Sequence, residues 1–174
     1  EYKEVIPKGY TRFLGKLAEL RDAGIPIQFF TGNHDMWMFR YFEDEFGIPI
    51  HRQPILREIN GKTFLIGHGD GLGPGDYGYK VLKHIFANPF LQWMFARVHP
   101  NFGIGLARFW SGRSRSIHPP NAKFLGPDQE WLIVYLNAEL ERKPADFYLF
   151  GHRHLPIDHV LKNGKSRYIN LGEW

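Results

Sequence analysis

The sequence predicts an α/β domain with a mixed sheet. Short β-branched and aromatic runs alternate along the chain with segments whose apolar residues recur at helical spacing. Asn-Gly pairs stand between extended runs at 60–61 and 163–164, and Asn-Gly is the strongest two-residue signal for a β-hairpin. Hydrophobic residues make up 43% of the 174 positions, so the chain has enough apolar surface for a buried core.

The first half of the chain supplies two predicted helices and the first hairpin. Residues 10–23 carry apolar side chains at helical spacing and stop at Gly24, and residues 36–46 form a second such segment that ends at Gly47. Residues 25–30 predict a buried strand, and residues 48–50 a short extended piece. Residues 55–59 and 62–66 flank the first Asn-Gly pair and predict a hairpin.

The second half continues the alternation and adds an insertion. Residues 79–87 and 128–142 predict helices, residues 147–150 a buried strand, and residues 157–161 and 166–171 a second hairpin. From 88 to 120 aromatic and aliphatic residues are mixed with His, Arg and Pro. We interpret about 79–120 as a helical cap inserted into a single domain that spans residues 1–174.

Composition excludes several kinds of chemistry. The chain has no cysteine, which rules out disulfides, thiolate metal sites and cysteine nucleophiles, so a metal would need His, Asp, Glu or Asn ligands. A net charge of +4 permits anionic partners without selecting one. No run reaches the roughly 20 apolar residues that span a bilayer.

Polar clusters directly follow three of the predicted strands. They are Gly32-Asn33-His34-Asp35, Gly67-His68-Gly69-Asp70 and Gly151-His152-Arg153-His154. Because ligands of α/β proteins collect beyond the carboxyl ends of strands, these clusters are expected to supply one site. A set of His and Asn ligands without sulfur suits Mn, Fe, Zn or Ni.

The histidines and the polar clusters also have a less specific interpretation. A lone His is more often a surface or hydrogen-bonded core residue than a ligand, and the five histidines outside the clusters are interpreted in that way. The clusters themselves could be turn-forming Gly, Asn and Asp with incidental His. Three clusters in this order, each after a strand, favour a functional site.

The clusters resemble the last three motifs of the calcineurin-like metallophosphoesterases, G-N-H-D/E, G-H and G-H-x-H. The resemblance implies an αββα two-sheet sandwich, here partial, and two divalent metal ions, most often Mn²⁺ with Fe or Zn possible. It implies that Asn33, His68 and His152 hold one ion and that His154 helps to hold the other. His34 would contact the scissile phosphate and the leaving oxygen, with Asp35 orienting it; Asn33, His34 and His152 would also face the substrate.

The first two motifs of that family, D-x-H and G-D-x-x-D, are absent from the sequence. We therefore expect them to lie upstream of Glu1, and further strands of the fold to follow Trp174, so that the domain is truncated at both ends. The 174 residues alone are expected to bind one ion weakly and to be weakly active or inactive.

The predicted cap is similar to that of the bacterial UDP-2,3-diacylglucosamine pyrophosphohydrolases of lipid A synthesis. It carries aromatic side chains beside Lys and Arg, as expected of a surface that receives acyl chains and meets an anionic membrane. The resemblance implies substrate contacts from five residues beyond the motifs: Asp76, Arg113, Ser114, Asn121 and Lys123. The enterobacterial branch of that family has Arg where this chain has His34.

The resemblance implies a hydrolase that releases UMP and 2,3-diacylglucosamine 1-phosphate from a nucleotide-linked glycolipid. Water would attack the α-phosphate in line, with the metals clamping the phosphate and a neutral His acting as acid. We expect a cytoplasmic protein, peripheral on the inner face of the bacterial inner membrane, and no nucleic-acid or protein partner. The alternatives are a soluble phosphomonoesterase or nucleotide phosphodiesterase of the same superfamily, or an inactive, truncated metal-binding relative.

Overall fold

The computed structural model describes residues 2, 5–6, 8–75, 77–117 and 123–172, and for 114–117 the backbone alone. The chain divides into two compact units. The first unit comprises Glu1–His51 and Lys83–Ser116, and the second comprises Arg52–Leu82 and Ile117–Trp174.

The mixed α/β class predicted from the sequence is confirmed. The helices are α1 (Thr11–Asp22), α2 (Tyr41–Phe46), α3 (Tyr77–Phe86), α4 (Pro89–Phe95), α5 (Pro100–Ile117) and α6 (Trp131–Glu139). The strands are β1 (Phe29–Phe30), β2 (Ile50–His51), β3 (Ile55–Ile59), β4 (Lys62–Gly67), β5 (Phe147–Phe150), β6 (Pro156–Val160) and β7 (Arg167–Leu171). One sheet has two strands and the other five, a set of elements consistent with a partial calcineurin-like sandwich.

Two elements of the first unit are shorter than predicted. Of the strand expected at 25–30, only Phe29–Phe30 pairs, in parallel with β2, because Pro26 has no N–H to give to a ladder. The helix expected at 36–46 begins only at Tyr41. The residues before Tyr41 form turns. There the Trp37 indole N–H donates to the Phe86 carbonyl at 2.7 Å, so this side chain contacts α3.

Both predicted hairpins are confirmed in the second unit. Asn60 and Gly61 have positive φ, 51° and 71°, as a type I′ turn between β3 and β4 requires. The second hairpin joins β6 to β7 through a longer loop, in which the Asn163 side chain accepts from the N–H groups of Lys165 and Ser166. Local turn chemistry therefore sets the register of both hairpins.

The five-stranded sheet has the order β3-β4-β5-β7-β6, with β4, β5 and β7 parallel and the two edge strands antiparallel. Helix α6 covers one face of this sheet, where its Leu132, Ile133 and Leu136 are fully buried with Tyr148 and Tyr168. The carboxyl ends of β4 and β5 lie next to each other, since Gly67 is opposite Phe150. The residues after these two strands are consequently neighbours.

None of the helices in the described part of the chain is long and apolar enough to cross a membrane.

Candidate active site

His68 and His152 lie side by side at the ends of the two parallel strands. The Gly151 N–H donates to the His68 carbonyl at 3.1 Å, which ties the segment after β5 to the segment after β4. The two imidazole rings are 5.3 Å apart between centroids at an angle of 67°. The sequence-predicted pairing of these two histidines is therefore present in the second unit.

The His152 ring is held in its neutral form. Burial, and next the neighbouring His68, lower the pKa of His152 to about 4. Both causes disfavour a positive charge on the ring, since a buried cation loses hydration and a positive charge on the neighbouring imidazole would repel it. At neutral pH a ring nitrogen of His152 therefore keeps a lone pair that can bind a metal ion or accept a proton.

The loop that carries the G-H-x-H motif has unusual backbone geometry. His152 and His154 have φ of 68° and 51°, in the left-handed region that costs a non-glycine residue about 1 kcal/mol or more. The Asn170 side-chain N–H donates to the Gly151 carbonyl at the start of this loop. The Arg153 side chain is fixed to Glu130, with Nε 2.8 and 3.0 Å from the two carboxylate oxygens.

Asp70 and Tyr79 form a polar pair beside His152. The Tyr79 hydroxyl donates to Asp70 Oδ2 at 2.6 Å, and the Tyr79 ring lies 6.2 Å from the His152 ring. The resemblance implied Asp76 as the substrate contact instead, and Asp76 lies outside the described residues. Asp70 was not among the predicted site residues, although its position two residues after His68 in the same motif could have indicated it.

Asn33, His34 and Asp35 lie in a tight turn of the first unit. The Asp35 N–H donates to the Gly32 carbonyl at 3.1 Å, and the His34 and Asp35 side chains are exposed. His34 Nδ1 is 3.3 Å from Ser111 Oγ on α5, a partner that the sequence gave no reason to choose. The orienting role predicted for Asp35 stays a prediction.

The remaining predicted residues are placed as follows. Arg113 lies on α5 and Lys123 lies outside any helix or strand, and both side chains are exposed. His154 is also exposed. Ser114 is a helical position whose side chain is not among those described, and Asn121 lies outside the described residues. Their substrate contacts stay predictions.

The described side chains supply only part of the ligand set that a metal ion needs. Among the described residues, no three His, Asp or Glu side chains come close enough together to hold an ion by themselves. The adjacent imidazoles of His68 and His152, the second kept neutral, nevertheless fit as two of the nitrogen ligands of a divalent transition metal.

A mixed sheet with histidines at the ends of adjacent parallel strands fits the calcineurin-like class that the motifs resemble. No protein-family model matches the chain. Over its whole length the chain is 39% identical to a UDP-2,3-diacylglucosamine hydrolase of Porphyromonas gingivalis and spans 71% of that protein. The chain therefore belongs to the family of the UDP-2,3-diacylglucosamine hydrolases.

More distant members of this family match most of the chain as well. Proteins of the same name from Aeromonas salmonicida and Salmonella arizonae are 28% and 29% identical over 90% and 91% of the chain. The chain spans 61% and 65% of these two relatives, less than two thirds of their length.

Proposed function

We propose that the protein containing this chain hydrolyses the pyrophosphate bond of UDP-2,3-diacylglucosamine and releases UMP and 2,3-diacylglucosamine 1-phosphate. The observation that carries this proposal is the 39% identity to the Porphyromonas UDP-2,3-diacylglucosamine hydrolase along the whole chain. The paired imidazoles at the strand ends support it, because hydrolysis of a phosphoric anhydride requires groups that bind metal or move protons.

The proposed cofactor is a pair of divalent ions, most favourably Mn²⁺, with Fe or Zn as substitutes. Asn33, His68 and His152 are proposed to hold one ion and His154 to help hold the other. The lowered pKa of His152 supports this role, since a neutral imidazole needs no deprotonation before it binds metal. When bound, the ions would supply Lewis-acid neutralisation of charge on the phosphates.

His34 is the proposed proton donor to the leaving phosphate oxygen. Its Nδ1 faces Ser111 Oγ at 3.3 Å, and Nε2 is the nitrogen proposed to deliver the proton. Asp70 and Tyr79 support the neighbouring His152 ring from the side, and their 2.6 Å hydrogen bond fixes both side chains. Asp76, Arg113, Ser114, Asn121 and Lys123 remain the proposed contacts to the substrate.

The helical segment about 79–120 is proposed as the cap that receives acyl chains and meets an anionic membrane surface. Between Asp76 and Asp128 the sequence contains no Asp or Glu. The same stretch contains seven cations: Lys80, Lys83, Arg97, Arg108, Arg113, Arg115 and Lys123. Because the whole chain carries only +4, the rest of the chain is net negative, and this stretch is the part of the sequence whose charge most favours an anionic surface.

Helix α4 carries an exposed aromatic face next to one of these cations. The rings of Phe90 and Trp93 stack at 6.0 Å between centroids, and their side chains are 64% and 52% exposed. The Arg97 guanidinium lies 3.7 Å from the centre of the Trp93 ring. Aromatic rings with an adjacent Arg suit the boundary between lipid headgroups and acyl chains. This face supports the proposed peripheral location on the inner face of the inner membrane.

Vesicle sedimentation tests the membrane part of the proposal. Phe90→Ser with Trp93→Ser should weaken binding to phosphatidylglycerol vesicles by about tenfold or more, since each buried aromatic ring contributes about 1.5–3 kcal/mol. Added salt should weaken binding of the unchanged chain as well. Val160→Ser, at a half-exposed apolar position of β6, is the matched control and should bind normally. Equal binding to neutral phosphatidylcholine vesicles would contradict an anionic preference.

Turnover of two substrates tests the catalytic part. The full-length product of the gene is assayed with UDP-2,3-diacylglucosamine and with a small chromogenic phosphodiester. Phe90→Ser, Trp93→Ser and Phe109→Ser should reduce lipid turnover far more than ester turnover. Equal losses would count against a cap that receives acyl chains. Ester hydrolysis with an inert glycolipid would favour the soluble phosphoesterase, and no hydrolysis of either would favour an inactive relative.

A further inference from the structure

Glu130 is a buried carboxylate to which the proposed reaction assigns no role. Its side chain is only 3% exposed, although it is the residue immediately before α6. In the described structure its carboxylate caps no N–H group of that helix. It accepts instead from Arg153 Nε, at 2.8 and 3.0 Å from its two oxygens.

The next residue of the chain holds Arg153 from a second side. The Arg153 guanidinium carbon lies 5.9 Å from the centre of the Trp131 ring, within range of a cation–π contact. The start of α6 therefore fixes Arg153 through an ion pair and an aromatic face. The Glu130 end of the pair is buried, so its charge would be costly if Arg153 moved away.

Arg153 is also the residue between the two strained histidines. His152 and His154 both have positive φ, and a loop keeps such a costly backbone conformation only where several surrounding contacts hold it in place. The start of the loop is anchored at Gly151, whose N–H donates to the His68 carbonyl and whose carbonyl accepts from the Asn170 side chain and, across His152, from the Arg153 backbone N–H at 2.8 Å. The Arg153 side chain supplies an anchor two residues further on.

We propose that Glu130 is a positioning residue: through Arg153 it holds the histidine loop in the left-handed conformation that keeps the His152 ring beside His68. This geometric role stands on the contacts above, and only its consequence for metal binding rests on the proposed function. The competing explanation is that the Glu130–Arg153 pair merely stabilises the second unit. The two explanations differ in what happens to the loop of a folded variant.

The geometric role is tested by NMR on metal-free chain. Glu130→Gln should remove the strong intraresidue amide–Hα NOE that positive φ produces at His152, and the ring contact between His152 and His68. Arg153→Met, which keeps an apolar stem against Trp131, should have the same effect. Glu139→Gln is the matched control, because it changes the same residue type on α6 in a pair with Arg142 at 3.4 Å.

Retention of both NOEs in folded Glu130→Gln would overturn the proposal. Unfolding of both loop variants beside a folded control would also overturn it, in favour of a purely stabilising pair. Calorimetric titration with Mn²⁺ then measures the consequence, and Glu130→Gln should bind about 10- to 100-fold more weakly. If the unchanged chain binds no Mn²⁺, the metal proposal fails, whereas the NOEs still decide the role of Glu130.

Discussion

Gly69 separates His68 from Asp70, and its backbone geometry makes a sharp prediction. Its φ is +106°, a conformation that residues with a Cβ rarely adopt. A Cβ at this position would lie 3.2 Å from Leu132 Cδ1 and 3.3 Å from Phe150 Cδ1. Both neighbours are fully buried, so neither can yield without disturbing the core under α6.

Gly69→Ala should therefore destabilise the second unit through two additive effects. The strained φ and the overpacking of a close-packed core each cost about 1–3 kcal/mol, and about 1.5 kcal/mol for each gives about 3 kcal/mol. For a chain of this size the loss corresponds to a fall in Tm of about 6–12 °C. Urea unfolding followed by circular dichroism measures the free energy directly, with an unchanged m value as the check on two-state behaviour.

Gly151→Ala is the matched control for this substitution. Gly151 also adjoins a site histidine, but its φ is not in the left-handed region, and a Cβ there would meet His68 Nδ1 at an ordinary 3.7 Å. We expect it to change the free energy of unfolding by less than about 1 kcal/mol. A Gly69→Ala loss below about 1 kcal/mol, or equal losses for the two variants, would mean that neither the positive φ nor the crowding limits residue 69 to glycine.

Three further outcomes follow from single hydrogen bonds. Trp37→Phe removes the N–H that donates to the last carbonyl of α3 at 2.7 Å, and should cost about 1 kcal/mol in urea unfolding; no loss would contradict it. The hydrogen bond from the Thr63 N–H lowers the pKa of the Asp146 carboxyl in the folded chain. The ionised carboxylate therefore stabilises the fold above its ordinary pKa near 3.8, and this stabilisation is lost as pH falls through the lower pKa of the folded state. Asp146→Asn should accordingly flatten the acid side of the stability profile, and an unchanged slope below about pH 4 would count against this. Ser111→Ala removes the hydroxyl that lies 3.3 Å from His34 Nδ1. In an assay of UMP release it should lower kcat of the full-length protein about fivefold and leave KM unchanged, and a change in KM alone would contradict this.

The parts of the fold that local chemistry determines could be predicted from the sequence. The first hairpin follows from Asn60-Gly61, whose two residues tolerate positive φ, and β5 follows from a short apolar run with its predicted bounds. Predictions were less accurate where one residue overrides the pattern around it. Pro26 shortens β1. Trp37, whose side chain hydrogen-bonds to the Phe86 carbonyl, lies among turns where a helix was expected.

The candidate site could likewise be predicted only in part from the sequence. His68 and His152 could be paired from sequence because each follows a strand and parallel strands end at one edge of the sheet. Side-chain contacts between residues that are distant in sequence could not be predicted, because they do not follow from strand ends or spacing. Glu130 and Arg153 are 23 positions apart, and no period or motif connects them. The same holds for Ser111 and His34, which are 77 positions apart.

The proposed activity is tested most directly by release of UMP from UDP-2,3-diacylglucosamine by the full-length product of the gene, with and without the His152 imidazole. We expect Mn²⁺-dependent UMP release, a loss of about 100-fold or more in His152→Ala, and normal release in His84→Ala, which removes an exposed histidine of α3. No UMP release under any metal condition would contradict the proposed activity. Release that is unaffected by His152→Ala would contradict the role of the paired histidines.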